Sequence, residues 1–129
     1  MLFNKVDMVS TTTERRKEMR KELGKIRSAS FGHGGYQECE IGLWLTLGGP
    51  SWGVSTSISG GWSMRMERNE RTKWSEQDRL DKFAKMTKEI SELLIKAKVD
   101  DVNDLVDLPI EAEFDGNVLK SWRVLTEVL

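Results

Sequence analysis

The sequence predicts an α+β domain: an antiparallel β-sheet packed against one long amphipathic helix, with a peripheral charged helix at the N-terminus. Three observations predict it. Residues 25–66 are rich in β-branched and aromatic residues, divided by glycine-bearing turns. "SEQDRLDKFAKMTKEISELLIKAK" then repeats apolar residues at three- and four-residue spacings. Two further runs, "IEAEF" and "VLKSWRVLTEVL", flank a "DGN" turn signal at Asp115–Asn117. A chain of 129 residues is one domain, able to bury about two-thirds of the surface its unfolded form exposes.

The elements follow in chain order. Thr11–Thr13 offer N-caps for "ERRKEMRKEL" and Gly24 offers a C-terminal stop, which predicts a helix over 13–23. It is charged nearly all round, with only Met19 and Leu23 apolar. Residues 1–24 are therefore set apart as a peripheral extension, and 25–129 as a single α+β ligand-binding domain. "KIRSASF", "ECEIGLWLTLGG" and "WGVSTSISGGW" predict a meander, with "GGPS" (Gly48–Ser51) joining its second and third strands. Along the second strand Ile41, Leu43, Leu45 and Leu47 share one face, and Gly42, Trp44 and Thr46 the other. Ser75 is the N-cap of the long helix, with Glu76 and Asp78 in its first turn. Leu80, Phe83, Met86 or Thr87, Ile90, Leu93 and Leu94 make its apolar face. "DDVNDLVD" predicts a short helical turn stopped by Pro109.

Charge and cysteine content narrow the function. The formal net charge of −1 gives no general attraction to nucleic acid. The ends differ: residues 1–30 hold eight basic against four acidic side chains, and residues 99–129 hold two against eight. Cys39 is the only cysteine, so no internal disulfide forms. No apolar run approaches the roughly 18 residues of a membrane span, and the N-terminus is too polar for a secretory signal. A cytoplasmic location is expected, with no membrane partner.

Catalytic patterns are weak. His33 is the sole histidine, and with Cys39 it completes neither a zinc site nor a nucleophilic pair. "GHGG" lacks the P-loop lysine and leads into a strand. No enzyme, cofactor or metal is expected. Binding chemistry is better supplied. Trp44, Trp52, Trp62, Trp74 and Trp122 lie in or beside the sheet segments, most of them as core, yet aromatics between glycine and serine runs also stack bases. The glycines of "SFGHGGYQ" suit an anion nest. Arg27, Arg65, Arg68, Arg71 and Arg123 are candidate phosphate contacts. Arg123, bracketed by Trp122 and Val124 on a strand, is either an edge charge or a ligand clamp. The "DGN" turn is expected to bring Asn117 to the same end of the sheet.

"KIRSASFGHGGYQECEIGLWLTL", "SWGVS", "GGW" followed by "WSEQDR", "AKVDDVNDL" and "NVLKSWRVLTEVL" together resemble the phage family of Thoeris anti-defence sponges, type one, from about Lys25 to Leu129. The resemblance implies a protein of the host-cell cytoplasm that sequesters a cyclic ADP-ribose isomer, glycocyclic ADP-ribose, without cleaving it. It also implies a homo-oligomer, and binding of cyclic di- or trinucleotides at a second site. The aspartate the family pattern has after "WGVS" is Thr56 here. The candidate ligand-binding residues are Arg27, Phe31, Gly34, Gly35, Tyr36, Gln37, Trp52, Phe114, Asn117 and Arg123. Arginines and glycine N–H groups would take the phosphates, an aromatic face the adenine, and Asn or Gln the ribose hydroxyls. The rival functions are a small nucleic-acid-binding module, through the basic residues Arg15–Lys21 and the aromatic sheet, and a structural phage protein.

Overall fold

The computed structural model describes residues 19–129. Its elements are β1 (Met19–Gly34), β2 (Glu40–Gly48), β3 (Gly53–Trp62), α1 (Glu76–Ala97), β4 (Pro109–Asp115) and β5 (Val118–Val124). The five strands form one antiparallel sheet in the order β3-β2-β1-β4-β5. The α+β architecture is as the sequence predicts.

β1 organises the sheet. Its first half, Met19–Lys25, pairs with β4, and its second half, Lys25–Gly34, pairs with β2 on the opposite side. A bulge at Arg27 separates the halves, and the Ile26 N–H and C=O bond Leu108 and Asp107 beside it. Two hairpins therefore hang from one strand. The sheet curls, because Ile58 of edge strand β3 and Trp122 and Val124 of edge strand β5 line one cavity with Leu93 of α1. The core fills this curl, with Ile26, Leu43, Leu47, Leu105 and Ile110 fully buried.

The predicted face of β2 holds. Leu43, Leu45 and Leu47 are buried on the α1 side, opposite the face that carries Trp44 and Thr46. The β2–β3 connection closes with the Gly49 N–H donating to the Trp52 carbonyl at 3.0 Å. α1 starts on a capping box: the Asp78 N–H donates to the Ser75 hydroxyl at 3.0 Å, and the Ser75 N–H to the Asp78 carboxylate at 2.8 Å. These bonds hold the Asp78 carboxyl below its ordinary pKa. Leu80 departs from the predicted apolar face and is 52% exposed, since the core stripe begins further along, at Phe83 and Met86.

The predicted N-terminal helix is corrected. Met19–Lys25 is strand, each residue partnered on β4 from Asp115 back to Pro109. Helix propensity is a weak local preference, and here cross-strand pairing overrides it. The predicted helix over 13–18 lies outside the described residues. The division between 1–24 and 25–129 falls inside β1, so residues 19–24 belong to the sheet. At the other end, β5 stops at Val124 and a 3₁₀ turn, Thr126–Val128, follows where the sequence predicted more strand.

Candidate functional site

The glycine-rich stretch divides between strand and turn. Ser30–Gly34 is strand, and only Gly35 begins the turn, at φ 67°. Gly34 makes room for Trp44: a Cβ there would come within 2.6 Å of the indole. The Trp44 Nε1–H donates to the Gly32 carbonyl at 3.0 Å. The room this glycine leaves is taken by the Trp44 indole, and a closely approaching phosphate is not needed to explain it.

Tyr36–Glu38 form a 3₁₀ turn in which Gln37 and Glu38 adopt left-handed backbone, at φ 50° and 56°. Non-glycine residues rarely take this conformation unless their surroundings hold them there. Two contacts do so. The Tyr36 N–H donates to Glu40 Oε2 at 2.9 Å, and Arg65 donates to the Glu38 carbonyl at 3.2 Å. The turn's N–H groups are largely used by the chain itself: that of Tyr36 goes to the Glu40 carboxylate, and those of Glu38 and Cys39 go to the Gly35 and Tyr36 carbonyls. Tyr36 is exposed and meets Trp62 edge-on at 6.3 Å.

Two predicted residues meet at the other end of β1, and a third lies in the turn next to one of them. Trp52 packs edge-on against Phe114 at 5.3 Å, and Asn117 follows Gly116 in the adjoining β4–β5 turn. The residue that joins them is Arg20, which sequence reasoning missed. Its guanidinium lies 4.8 Å over the Phe114 ring, donates to the Gly116 carbonyl and pairs with Glu22 at 3.2 Å. The signal was hidden because Arg20 looked like one more charge on a charged helix. The Trp52 Nε1–H is buried and has no acceptor among the described residues. Gly24 lets the indole seat there, since a Cβ would stand 2.6 Å from it.

The other candidates stand apart. Arg123 faces away from the core beside Glu111, as the alternation predicted. Its guanidinium is held by Glu127 at 3.1 Å and Glu111 at 3.4 Å, which raises its pKa and means a ligand phosphate must displace carboxylates. The expectation that Asn117 shares its end of the sheet is corrected. Asn117 lies beyond the Asp115–Val118 pair, whereas Arg123 pairs with Glu111, about 16–20 Å along the strands. Arg27 is exposed at the bulge, its side chain over Gly48, and lies eight residues from Gly35, about 26 Å along β1. Phe31 is 50% exposed and borders a groove of about 440 Å³ lined by Met86, Ile90, Leu94 and Val102, with Asp100 and Asp101 at its rim.

Two other arginines are committed to structure. Arg68 donates to the Trp74 carbonyl at 2.8 Å, and its guanidinium lies over that ring. Buried Arg79 donates to the Ser63 and Met66 carbonyls and pairs with Glu76, pinning residues 63–75 to the start of α1. Among the described residues no group of histidine, cysteine and carboxylate side chains could hold a metal ion. No described helix is long and apolar enough to cross a membrane. Comparison with family models, curated proteins and solved structures returns no match to this chain.

Proposed function

We propose that this chain is a phage anti-defence sponge, which binds a cyclic ADP-ribose-type nucleotide without cleaving it and so blunts Thoeris-type immunity in the host cell. The observation that carries the reading is the group of Trp52, Phe114, Arg20 and the Gly116–Asn117 turn. It offers the partly exposed Trp52 ring for an adenine face, a guanidinium for a phosphate, and an exposed amide for a ribose. The second half of the candidate set, Gly34–Gln37, offers the exposed Tyr36 ring, which meets Trp62 edge-on, as a further stacking face. Cyclic di- and trinucleotides carry the same phosphates and bases and are secondary ligands on this reading. The role is sequestration, so affinity and not turnover is the quantity under selection, and a nanomolar Kd corresponds to about −12 kcal/mol.

Native mass spectrometry of the protein mixed with glycocyclic ADP-ribose tests the proposal. The expected result is a complex that, on denaturation, releases the nucleotide at its starting mass. Release of linear ADP-ribose would make the chain a hydrolase, and no complex at micromolar concentrations would end the sponge reading.

A further inference from the structure

The first half of β1 inverts the usual alternation of a half-buried strand. Residues directly opposite one another on paired strands share a face of the sheet. Arg20 is opposite Phe114, Glu22 opposite Ala112 and Gly24 opposite Ile110, and all three partners are buried. Arg20 and Glu22 are therefore on the core-side face. Met19, Lys21 and Leu23 are on the other, opposite Asp115, Glu113 and Glu111. Leu23 is 64% exposed, whereas the neighbouring Glu22 side chain, on the core side, is 38% exposed. Two charges facing the core with a leucine turned to solvent contradict the pattern by which a strand specifies its face. Such a break in a local rule is expected where a residue serves a function.

The Arg20–Glu22 pair does not account for the inversion. An ion pair between part-exposed side chains adds little stability. Arg20 is already held by the Phe114 ring and the Gly116 carbonyl. Glu22 meets it through Oε1 alone, at 3.2 Å, and among the described residues Oε2 has no hydrogen-bond partner. What distinguishes Glu22 is its place. Along this face β1 presents Gly24, Glu22 and Arg20 in turn, each step about 6.6 Å. The Trp52 indole seats at Gly24, and Arg20 leads on to the Gly116–Asn117 turn. Glu22 thus stands between the aromatic ring and the guanidinium. Phe114 links those two, 5.3 Å from the indole and 4.8 Å from the guanidinium.

We propose that Glu22 reads the ribose of the bound adenine nucleotide. The inference rests on the proposed sponge function and adds the order of its contacts. Adenine lies on Trp52, the adenosine ribose on Glu22, the diphosphate on Arg20 and the second ribose on Asn117. These groups follow one another in that order in an ADP-ribose. The chemistry agrees at each step. A carboxylate only accepts hydrogen bonds, and between base and phosphate the nucleotide offers sugar hydroxyls as donors. An acidic residue takes the ribose 2′-hydroxyl in the same way in dinucleotide-binding folds. A guanidinium only donates, and phosphate oxygens only accept. A phosphate at Glu22 would set anion against anion, so the order cannot be shifted by one step. Glu22 therefore makes the site selective for ribonucleotides over deoxyribonucleotides.

The test is calorimetric titration of the full chain and of Glu22→Ala with two ligands. One is glycocyclic ADP-ribose, and the other is its analogue with hydrogen in place of the free hydroxyl on the adenosine ribose. The wild-type chain is expected to bind the analogue about 10- to 150-fold more weakly, the loss of one hydrogen bond to a charged group. Glu22→Ala is expected to bind the two ligands equally. The ratio is the readout, because removing Glu22 also frees Arg20 and shifts both affinities together. Glu22→Gln, whose amide oxygen still accepts, is expected to restore part of the discrimination, with thermal melts showing both variants folded. Equal binding of the two ligands by the wild-type chain overturns the role of Glu22 and leaves the sponge function standing. Discrimination that survives Glu22→Ala gives the ribose to another residue and also overturns it. A wild-type chain that binds neither ligand ends the sponge function itself, and this inference with it.

Discussion

The two halves of β1 are one strand with opposite circumstances. Met19–Lys25 is charged, pairs with the acidic hairpin β4–β5, and carries Arg20 across Phe114. Ser28–Gly34 is uncharged and mostly small, pairs with the serine- and glycine-rich hairpin β2–β3, and has no partner strand among the described residues on its other side. The two halves differ in charge while sharing one continuous strand, so the hydrophobic pattern that specifies the fold leaves the charge along a strand edge free to vary.

The joint between the halves is where a substitution should cost most. Ile26 is fully buried and bonds Leu108 and Asp107 at the crossover. Ile26→Ala is expected to lower stability by about 2–5 kcal/mol in urea unfolding. A loss under 1 kcal/mol would mean that the two hairpins do not share one core.

Two glycines separate the halves by steric room. A Cβ at Gly24 would stand 2.5 Å from the Gly48 carbonyl and 2.6 Å from Trp52, whereas one at Gly53 meets only the Leu47 carbonyl at 3.8 Å. Gly24→Ala is expected to destabilise by about 1–3 kcal/mol. Gly53→Ala should be neutral or stabilise by up to about 1 kcal/mol, through the lower entropy of its unfolded chain. Thermal melts of the pair give the contrast directly.

Arg20 sharpens the comparison on the functional side. If the first half of β1 holds a ligand phosphate, Arg20→Ala should weaken calorimetric nucleotide binding about 10- to 150-fold, the equivalent of a charge-assisted bond of about 1.5–3 kcal/mol. Arg123→Ala should leave both affinity and unfolding midpoint within error, since Arg123 is half exposed and tied to two carboxylates on the surface. The reverse ranking would move the site to β5.

The smallest effect is electrostatic. The Asp78 carboxyl has a lowered pKa in the folded chain because Ser75 donates to its charged form. Its contribution is present above the ordinary carboxylate range and is lost as pH falls through the lowered value. Asp78→Asn should flatten that part of the stability–pH curve below about pH 4.

Much of the fold was legible because its signals are local. The Ser75 cap, the three- and four-residue spacing of α1, the Leu43–Leu47 alternation and the Asp115–Asn117 turn each depend on neighbours in sequence. Met19–Leu23 was not legible, because good helix formers became strand through pairing with residues about ninety positions away. The site was legible in part. Trp52 and Phe114 do pack together, but Arg20 was hidden in the misread helix, and Arg123 and Asn117 were set at one end when the hairpin spaces them along its length. Gly34 invited a ligand where Trp44 already lies.

Amide hydrogen exchange along β1 tests the contrast most directly, because both halves belong to one strand and are read in one experiment. Arg20, Glu22, Ser30 and Gly32, whose N–H groups face β4 or β2, should be protected, while Lys21 and Leu23, which face neither, exchange faster. Exchange at Arg20 and Ser30 as fast as at Lys21 and Leu23 would contradict one strand shared by two hairpins.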